Sequence, residues 1–396
     1  MTDAWDPQPS RISLPFDESE YEVRRNNVLQ SMEERGLDLL IVSAPANFFY
    51  LTGIYTGLIS NYVFVLSLFR DGKGIWIGRH TEMSNVRSKA HLTWASETIS
   101  ILDSSDAYEA LAQNVTRLVP AGGRVGVDYS SFCLSVAGFE RLRKTAGSVD
   151  IVDASGLIEK HRAIKSPAEL DYMRAAGKLS GQAIQRAFDE FSPGQTDSEL
   201  AATLIANVIR LGSEPMSMGP YVCSGLRTFQ AHSSWVNAPI DDGDLINLEI
   251  AAVVARYNTP VFRVGVAGRP SDEIRRFHAA SRAGLEAGLR GIQPGMTSHQ
   301  ADALVRDAIQ RTGYGDYFTV RAAYGIGIGM QPTWGENAVA SLKPNDTTLL
   351  RPGMCFHLVP ALYKQDLGCV CCSMPIEITD KGVSNLTNID AVLFSF

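Results

Sequence analysis

The segment MRAAGKLSGQAIQRAFDEFSPGQTDSELAATLIANVI, residues 173–209, returns about 100 residues later as FHAASRAGLEAGLRGIQPGMTSHQADALVRDAI, residues 277–309. Each copy predicts a long helix, a Pro-Gly-x-Thr turn and a second helix, because apolar residues recur at helical spacing on both sides of the turn. Two copies are too few for a solenoid, which needs at least about three. The repeat therefore predicts one pseudo-symmetric domain with a site between its two halves.

Predicted strands accompany each helix pair: residues 244–268 between the copies, and residues 354–364 and 369–379 after the second. Ahead of the repeat, Ser166-Pro167-Ala168-Glu169 has the pattern of a helix start, with Ser as N-cap, Pro at the first position and Glu at the third. The first 150 residues alternate short apolar runs with helical patterns, which is typical of a sheet covered by helices. We predict an α/β domain over residues 1–158 and the duplicated domain over residues 159–396.

Composition excludes several kinds of partner. The chain has 396 residues, 45% of them hydrophobic, and a net charge of −7 with no run of Lys or Arg. This balance argues against a nucleic-acid groove or an anionic membrane surface. The first residues are polar and acidic rather than signal-like, and no apolar run approaches the ~18 residues of a membrane span. We therefore expect a cytoplasmic protein whose partner is a small molecule. Three of the six cysteines cluster in GCVCCS, residues 368–373, with no His nearby in sequence, so buried reduced thiols are favoured over a zinc site.

Glu249 is the first candidate for chemistry. It occupies an apolar position in LEIAAVVARYNTPVFR, residues 248–263, and a buried carboxylate is costly unless it is paired or protonated. Such a cost often marks a functional site; the alternative is a structural ion pair with Arg263. His232 lies in a polar segment ahead of the same strand. Imidazole titrates near neutrality and suits general acid–base catalysis, although a solvated structural histidine is the simpler alternative.

The segment YGIGIGMQPTWGEN, residues 324–337, predicts a glycine-rich loop and is the second candidate. It lacks the strand–GxGxxG–helix context of a nucleotide site. Its Tyr324, Trp334 and Glu336 better fit a small polar or cationic ligand, through charge and cation–π contact. His357 alternates onto one face of a later strand, where it either lines the site or belongs to the core.

Together these landmarks resemble the creatinase, aminopeptidase P and methionine aminopeptidase family with its "pita-bread" fold. The resemblance rests on the order of SPAELDYMRAA, the AH segment, GDLINLE, the PGMT turn and RPGMCFHLVPALY, and it covers nearly the whole chain. It implies an N-terminal creatinase-type α/β domain followed by a duplicated pita-bread domain. It also implies a homodimer in which ANFFYLTGIYTGLISNY, with Tyr55 and Tyr62, lies near the partner's pocket.

The family's peptidases hold two metals with two Asp, one His and two Glu. At the matching positions this chain has, in order, Glu249, Pro260, Tyr324, Val359 and a residue near Cys372. Pro and Val side chains cannot bind a metal, and a hard divalent ion needs carboxylates. The resemblance therefore favours an enzyme without a metal or other cofactor.

Within the family the motifs are most similar to ectoine hydrolase and creatinase, which work without a metal. RYNTP stands where ectoine hydrolase has an RYHCP-like segment, so Asn258 replaces a His, and the late stretch GCVCCS lacks the usual Glu. These departures predict an altered pocket floor and leave the substrate open.

The resemblance implies metal-independent hydrolysis of a C–N bond in a small cyclic amidine, amide or guanidino compound. Glu249 then attacks the substrate carbon or activates water, and His232 protonates the leaving nitrogen. Glu336 and Trp334 hold the cation, while Tyr324 and His357 donate hydrogen bonds. The alternatives are a metal-dependent Xaa-Pro peptidase or lyase on the same fold and a non-catalytic binding protein.

Overall fold

The computed structural model describes residues 13–57 and 62–396. The chain divides into two compact units, Met1–Arg162 and Ala163–Phe396. Within the described residues, no helix is both long and apolar enough to cross a membrane.

The N-terminal unit is built on a six-stranded mixed sheet of order β4-β3-β2-β1-β5-β6. Its strands are β1 (Leu39–Val42), β2 (Phe64–Phe69), β3 (Gly74–Arg79), β4 (Glu97–Ile101), β5 (Arg124–Val127) and β6 (Asp150–Asp153). Its helices are α1 (Glu18–Glu34), α2 (Pro45–Thr52), α3 (Ser84–Arg87), α4 (Ala107–Leu118), α5 (Val136–Thr145) and α6 (Glu159–Arg162). The predicted α/β character is confirmed, and β4 and α2 are elements that the sequence patterns missed.

The repeat forms two helix pairs in the C-terminal unit: α7 (Pro167–Asp189) with α8 (Asp197–Arg210), and α9 (Asp272–Gly291) with α10 (Ser298–Arg311). The predicted start of α7 is confirmed, because Ser166 and Glu169 form a reciprocal capping box. The threonines of the two Pro-Gly-x-Thr turns, Thr196 and Thr297, cap α8 and α10 in the same way. The duplicated helices thus begin at chemically equivalent residues.

A second sheet runs through the C-terminal unit in the order β17-β16-β13-β10-β9-β8-β7, with β11, β12 and β18 pairing at its side. β14 and β15 form a separate hairpin. The strands are β7 (Tyr221–Ser224), β8 (Leu245–Val254), β9 (Tyr257–Val266), β10 (Ala323–Met330), β11 (Thr333–Gly335), β12 (Ser341–Leu342), β13 (Cys355–Leu358), β14 (Leu362–Lys364), β15 (Gly368–Val370), β16 (Met374–Thr379), β17 (Gly382–Asn385) and β18 (Phe394–Ser395).

Two apolar cores flank this sheet, one under each helix pair. One joins α7 and α8 to β8 through residues such as Phe188, Leu204 and Ile250. The other joins α9 and α10 to β13 and β16, through Phe277, Val305 and Phe356 among others. Burying each such side chain contributes roughly 1.5–3 kcal/mol, which fixes the strands that carry the candidate site.

Candidate active site

A cavity of about 690 Å³ opens in the C-terminal unit, against β7, β8 and β10. The prediction of a glycine-rich loop was wrong, because most of that segment, residues 324–337, forms the strands β10 and β11. The volume of the cavity suits a small molecule. Its walls are mixed, with one acid, one arginine, one histidine and many aromatic or small polar side chains. The lining comprises Met218, Tyr221, Cys223, Thr228, Phe229, Gln230, Ala231, His232, Ser233, Asn247, Glu249, Phe262, Thr319, Val320, Arg321, Tyr324, Thr333, Trp334, Gly335, Asn337, Val359, Ala361, Tyr363 and Cys369.

The hairpin β8–β9 sets which side chains face this cavity. Its two connecting residues, Ala255 and Arg256, have φ angles of 50° and 64°, values that a tight hairpin needs but non-glycine residues rarely adopt. The Glu214 carboxylate accepts hydrogen bonds from both of their N–H groups, at 2.7 and 3.2 Å. The turn fixes the register that places Glu249 opposite Phe262.

Glu249 occupies the cavity wall as a largely buried acid. Its side chain is 13% exposed, and Oε1 lies 3.9 Å from Nδ1 of His357. Desolvation by burial raises the Glu249 pKa from 4.5 to about 8, so the protonated form predominates at neutral pH. The protonated acid must lose its proton to become a reactive carboxylate, and a cation bound nearby favours that ionisation.

Arg263 is not the partner of Glu249, which removes the structural ion-pair alternative. Neighbouring positions on a strand face opposite sides of the sheet, and Arg263 follows Phe262, the residue paired with Glu249. Its guanidinium donates to the backbone carbonyls of Phe262, Ser373, Ile389 and Asp390 at 2.7–2.8 Å. Arg263 therefore ties β9 to the C-terminal segment.

A hydrogen-bonded chain of side chains leads from the cavity wall into the core. The indole N–H of Trp334 donates to the Tyr324 hydroxyl at 2.9 Å. That hydroxyl lies 2.8 Å from Nδ1 of His357, whose Nε2 lies 2.7 Å from Oγ of Ser373. Ser373 in turn accepts the Phe262 N–H at 2.8 Å. Ser373 lies directly before β16, and no spacing pattern in the sequence predicted its role.

Burial keeps the side chains of this hydrogen-bonded series uncharged. Desolvation lowers the pKa of His357 to about 3 and raises the pKa of Tyr324 well above its usual value. A neutral imidazole donates through one nitrogen and accepts through the other, so the contacts to Tyr324 and Ser373 run in opposite senses. When His357 donates to Tyr324, the phenolic hydrogen is free for the cavity; in the other tautomer the phenol donates to His357.

Aromatic side chains form the wall beside Glu249. Tyr221 is paired with Glu249 across β7 and β8. Its ring centroid lies 5.1 Å from that of His232 and 5.5 Å from that of Trp334. His232 is exposed and has φ 59°, a region uncommon outside glycine and found at functional sites. The structure therefore brings together Glu249, His232, Tyr324 and Trp334, and it adds Tyr221.

Two predicted site residues lie elsewhere in the C-terminal unit. Glu336 is buried and its Oε2 pairs with Nζ of Lys165 at 2.8 Å, both side chains being at most 2% exposed. It does not line the cavity, so the expected contact with a bound cation is not met. Asn258 is also fully buried, and its amide donates to the carbonyl of Arg256 at 2.8 Å. Glu336 follows β11 rather than lying on a strand that faces the cavity, and Asn258 lies near the turn end of β9, opposite Val253 and well away from the Glu249–Phe262 pair.

Of the two positions left open for His357, the structure supports the core, because the side chain lies behind the cavity lining and does not make the expected direct contact with a ligand. Its side chain is 0% exposed, and it reaches the cavity only through Tyr324 and Glu249. Tyr55 and Tyr62 belong to the N-terminal unit, where the Arg79 guanidinium lies 4.2 Å from the Tyr62 ring centroid. Residues 58–61 of the segment ANFFYLTGIYTGLISNY fall outside the described part of the chain.

The residues that match the family's metal positions do not form a metal site. Among the described residues, no group of three or more His, Cys, Asp or Glu side chains is arranged to hold an ion. Pro260 is paired with Ala251, on the same face as Glu249, and Cys372 contacts Nε2 of His278 at 2.9 Å. The donor set at these positions lacks the carboxylates that a hard divalent ion requires.

One lining residue that the sequence reasoning passed over is Arg321. Its guanidinium is exposed, donates to Oδ1 of Asn337 at 2.9 Å and lies 5.3 Å from the Tyr324 ring centroid. The cavity thus offers an ionisable acid in its wall and a permanent cation beside Tyr324.

Sequence comparison defines the class of protein. Residues 171–382 match metallopeptidase family M24, and residues 24–164 match the creatinase/prolidase N-terminal domain. Because the first match spans more than half of the chain, the chain belongs to metallopeptidase family M24.

The similar proteins include an ectoine hydrolase and Xaa-Pro dipeptidases. Ectoine hydrolase from Halomonas elongata is 31% identical, over 97% of this chain and 99% of that protein. Xaa-Pro dipeptidase from Pyrococcus furiosus is 24% identical, over 93% and 99% respectively. The crystal structure of recombinant prolidase from Thermococcus sibiricus superimposes with a TM-score of 0.84, at 23% identity and with 95% and 99% of the chains covered. The last similarity confirms the pita-bread fold.

Proposed function

We propose that this chain is a metal-independent hydrolase that cleaves a C–N bond of a small amidinium or related cyclic amide, as its similarity to ectoine hydrolase indicates. One observation carries the proposal: Glu249 is a largely buried acid in a small-molecule cavity, with no metal-binding group around it in the described chain. An amidinium supplies the positive charge that favours the carboxylate form.

In this mechanism the Glu249 carboxylate forms a bond to the amidinium carbon, or removes a proton from water that forms that bond. The C–N bond then breaks, and the departing nitrogen leaves as an amine after taking a proton from His232. Water restores Glu249 in the first route, and the net reaction in both is amidine plus water to amide plus amine. Tyr324 donates its phenolic hydrogen to the developing charge when His357 donates to it.

The charges of the lining also define a substrate class. Arg321 presents a planar guanidinium that pairs well with a carboxylate, while Glu249 favours a cation. Trp334 and Tyr221 offer aromatic faces to the same cation. A small zwitterion that carries both a carboxylate and an amidinium satisfies all three features.

The quaternary structure is a second part of the proposal. By the same family similarity, we propose a homodimer in which the N-terminal unit of one copy, with Tyr55 and Tyr62, lies near the pocket of the other. Analytical ultracentrifugation tests the dimer, and a loss of activity in Tyr62→Ala with unchanged dimerisation supports the contribution to the pocket.

The function is tested by turnover of ectoine and creatine by chelator-treated protein, with the new amine followed by NMR. Turnover that survives the chelator and disappears in Glu249→Gln supports the proposal. Activity that needs an added divalent ion, or that cleaves Xaa-Pro dipeptides instead, refutes it. Acid quenching followed by mass spectrometry separates the two routes, because only direct attack leaves a covalent adduct on Glu249.

A further inference from the structure

Asn247 is a buried amide in the cavity wall that the mechanism above leaves unused. It lies two residues before Glu249 on β8, so both side chains face the same side of the sheet. It lines the cavity, although the residue is only 4% exposed. Its strand neighbours are Cys223 and Val264.

The orientation of this amide is set by one hydrogen bond. Nδ2 of Asn247 donates to the carbonyl oxygen of Cys369 at 3.2 Å. A carbonyl only accepts, so the amide nitrogen must face Cys369 and Oδ1 must face away from it. The main-chain N–H of the same Cys369 is held separately, by Oγ1 of Thr228 at 3.3 Å.

Oδ1 of Asn247 has no hydrogen-bond donor within reach among residues 13–57 and 62–396. A buried acceptor without a partner costs roughly 1–3 kcal/mol, and native proteins leave few such atoms. The packing around Asn247 does not require this oxygen. A ligand with an N–H group would satisfy it.

We infer that Asn247 is a specificity-determining residue whose Oδ1 accepts a hydrogen bond from an N–H group of the bound substrate. The inference rests on the proposed function, which places the reacting carbon at Glu249. Side chains two apart on a strand are separated by about 7 Å along it, a distance that a small ring or chain bridges. The N–H held by Asn247 therefore belongs to the part of the substrate on the Cys369 side of the reacting carbon.

Such an acceptor selects strongly against ligands without the N–H. A site built to hydrogen-bond a substrate group rejects the analogue that lacks it, because its own buried group is left unpaired. An N-methylated amidinium keeps the charge that Glu249 attracts but loses the donor. The ratio of the two affinities therefore reports on the hydrogen bond to Asn247 and not on the charge of the ligand.

The test uses the full-length protein and the variant Asn247→Leu, which keeps the bulk and removes the acceptor. Calorimetry measures the affinities of acetamidinium and of its fully N-methylated form. We expect wild type to prefer acetamidinium by about 10- to 100-fold, the effect of one charge-assisted hydrogen bond, and the variant to lose that preference. Equal ratios in the two proteins, or no binding of acetamidinium to wild type, overturn the inference.

A control separates recognition from support of the strand. Thr228→Val removes the other side-chain bond to Cys369 while Asn247 keeps its acceptor. We expect this variant to lower thermal stability and to retain the preference for acetamidinium. If it abolishes the preference as Asn247→Leu does, Asn247 has a structural role only.

Failure of the proposed function gives a different result. A wild type that binds acetamidinium with the expected preference but hydrolyses no amidinium refutes the reaction and leaves the recognition intact. A wild type that hydrolyses its substrate with kcat/KM unchanged by Asn247→Leu refutes the recognition and leaves the reaction intact.

Discussion

Replacing Glu249 by Gln makes the cost of the active-site acid measurable. Glutamine keeps the shape and removes the ionisation. The folded-state pKa of Glu249, about 8, lies above its unfolded value of 4.5. An acid with a raised pKa holds its proton longer in the folded state, so the wild type loses stability as pH rises from about 4.5 to 8.

The magnitude follows from proton linkage. With pKa values of 4.5 in the unfolded state and about 8 in the folded state, Glu249 lowers the free energy of unfolding of the wild type by about 3 kcal/mol at pH 7 and about 5 kcal/mol at pH 9. The variant escapes this cost but carries a buried amide, which adds an offset of roughly 1–3 kcal/mol that does not change with pH. The slope against pH, rather than the absolute difference, therefore reports on Glu249.

The assay is urea unfolding of wild type and Glu249→Gln at pH 5, 7 and 9. We expect the variant to gain stability relative to wild type at each step. Glu286→Gln is a matched control on the surface, because hydrogen bonds from Arg282 and Arg290 lower the pKa of Glu286. The stability that ionised Glu286 gives the wild type is lost as pH falls, so any change with pH in the stability difference between Glu286→Gln and wild type has the opposite sign. A Glu249→Gln difference that stays constant from pH 5 to 9 refutes the raised pKa and the role of Glu249 built on it.

Three further predictions follow from the same geometry. On the acid side of the pH profile, kcat/KM falls as pH decreases, since the free enzyme must lose the Glu249 proton; a flat profile from pH 6 to 9 contradicts this. Ser373→Ala removes the contact to Nε2 of His357 and lowers kcat, with a stability loss of roughly 1–3 kcal/mol in urea unfolding; unchanged kcat would show that His357 needs no such support. Glu336→Gln lowers the free energy of unfolding by about 3–5 kcal/mol, because it leaves the Lys165 charge buried alone. The substrate KM, measured below the unfolding transition, stays unchanged; a large rise in KM would show that Glu336 contacts the substrate.

The fold was largely predictable from local patterns. The Pro-Gly-x-Thr turns and the helical spacing around them identified both helix pairs, because capping and amphipathic periodicity are short-range properties of the chain. The family resemblance then supplied the arrangement of those pairs around a sheet. The short strand β4 and the helix α2 were missed, since their stability comes from packing against the rest of the N-terminal unit rather than from a periodic pattern.

The sequence, through its family resemblance, predicted that Pro260 and Val359 stand where the family's peptidases bind metal, and neither side chain has a ligand atom. It also marked Glu249 as an acid in an apolar strand. Only the tertiary structure decided which polar groups share a cavity. Glu336 and Asn258 are buried outside the cavity lining. The register of β7 and β8 brought Tyr221 and Asn247 to the cavity beside Glu249, and the segment before β10 brought Arg321 there. These partners are far apart along the chain, so no local pattern encodes which side chains meet.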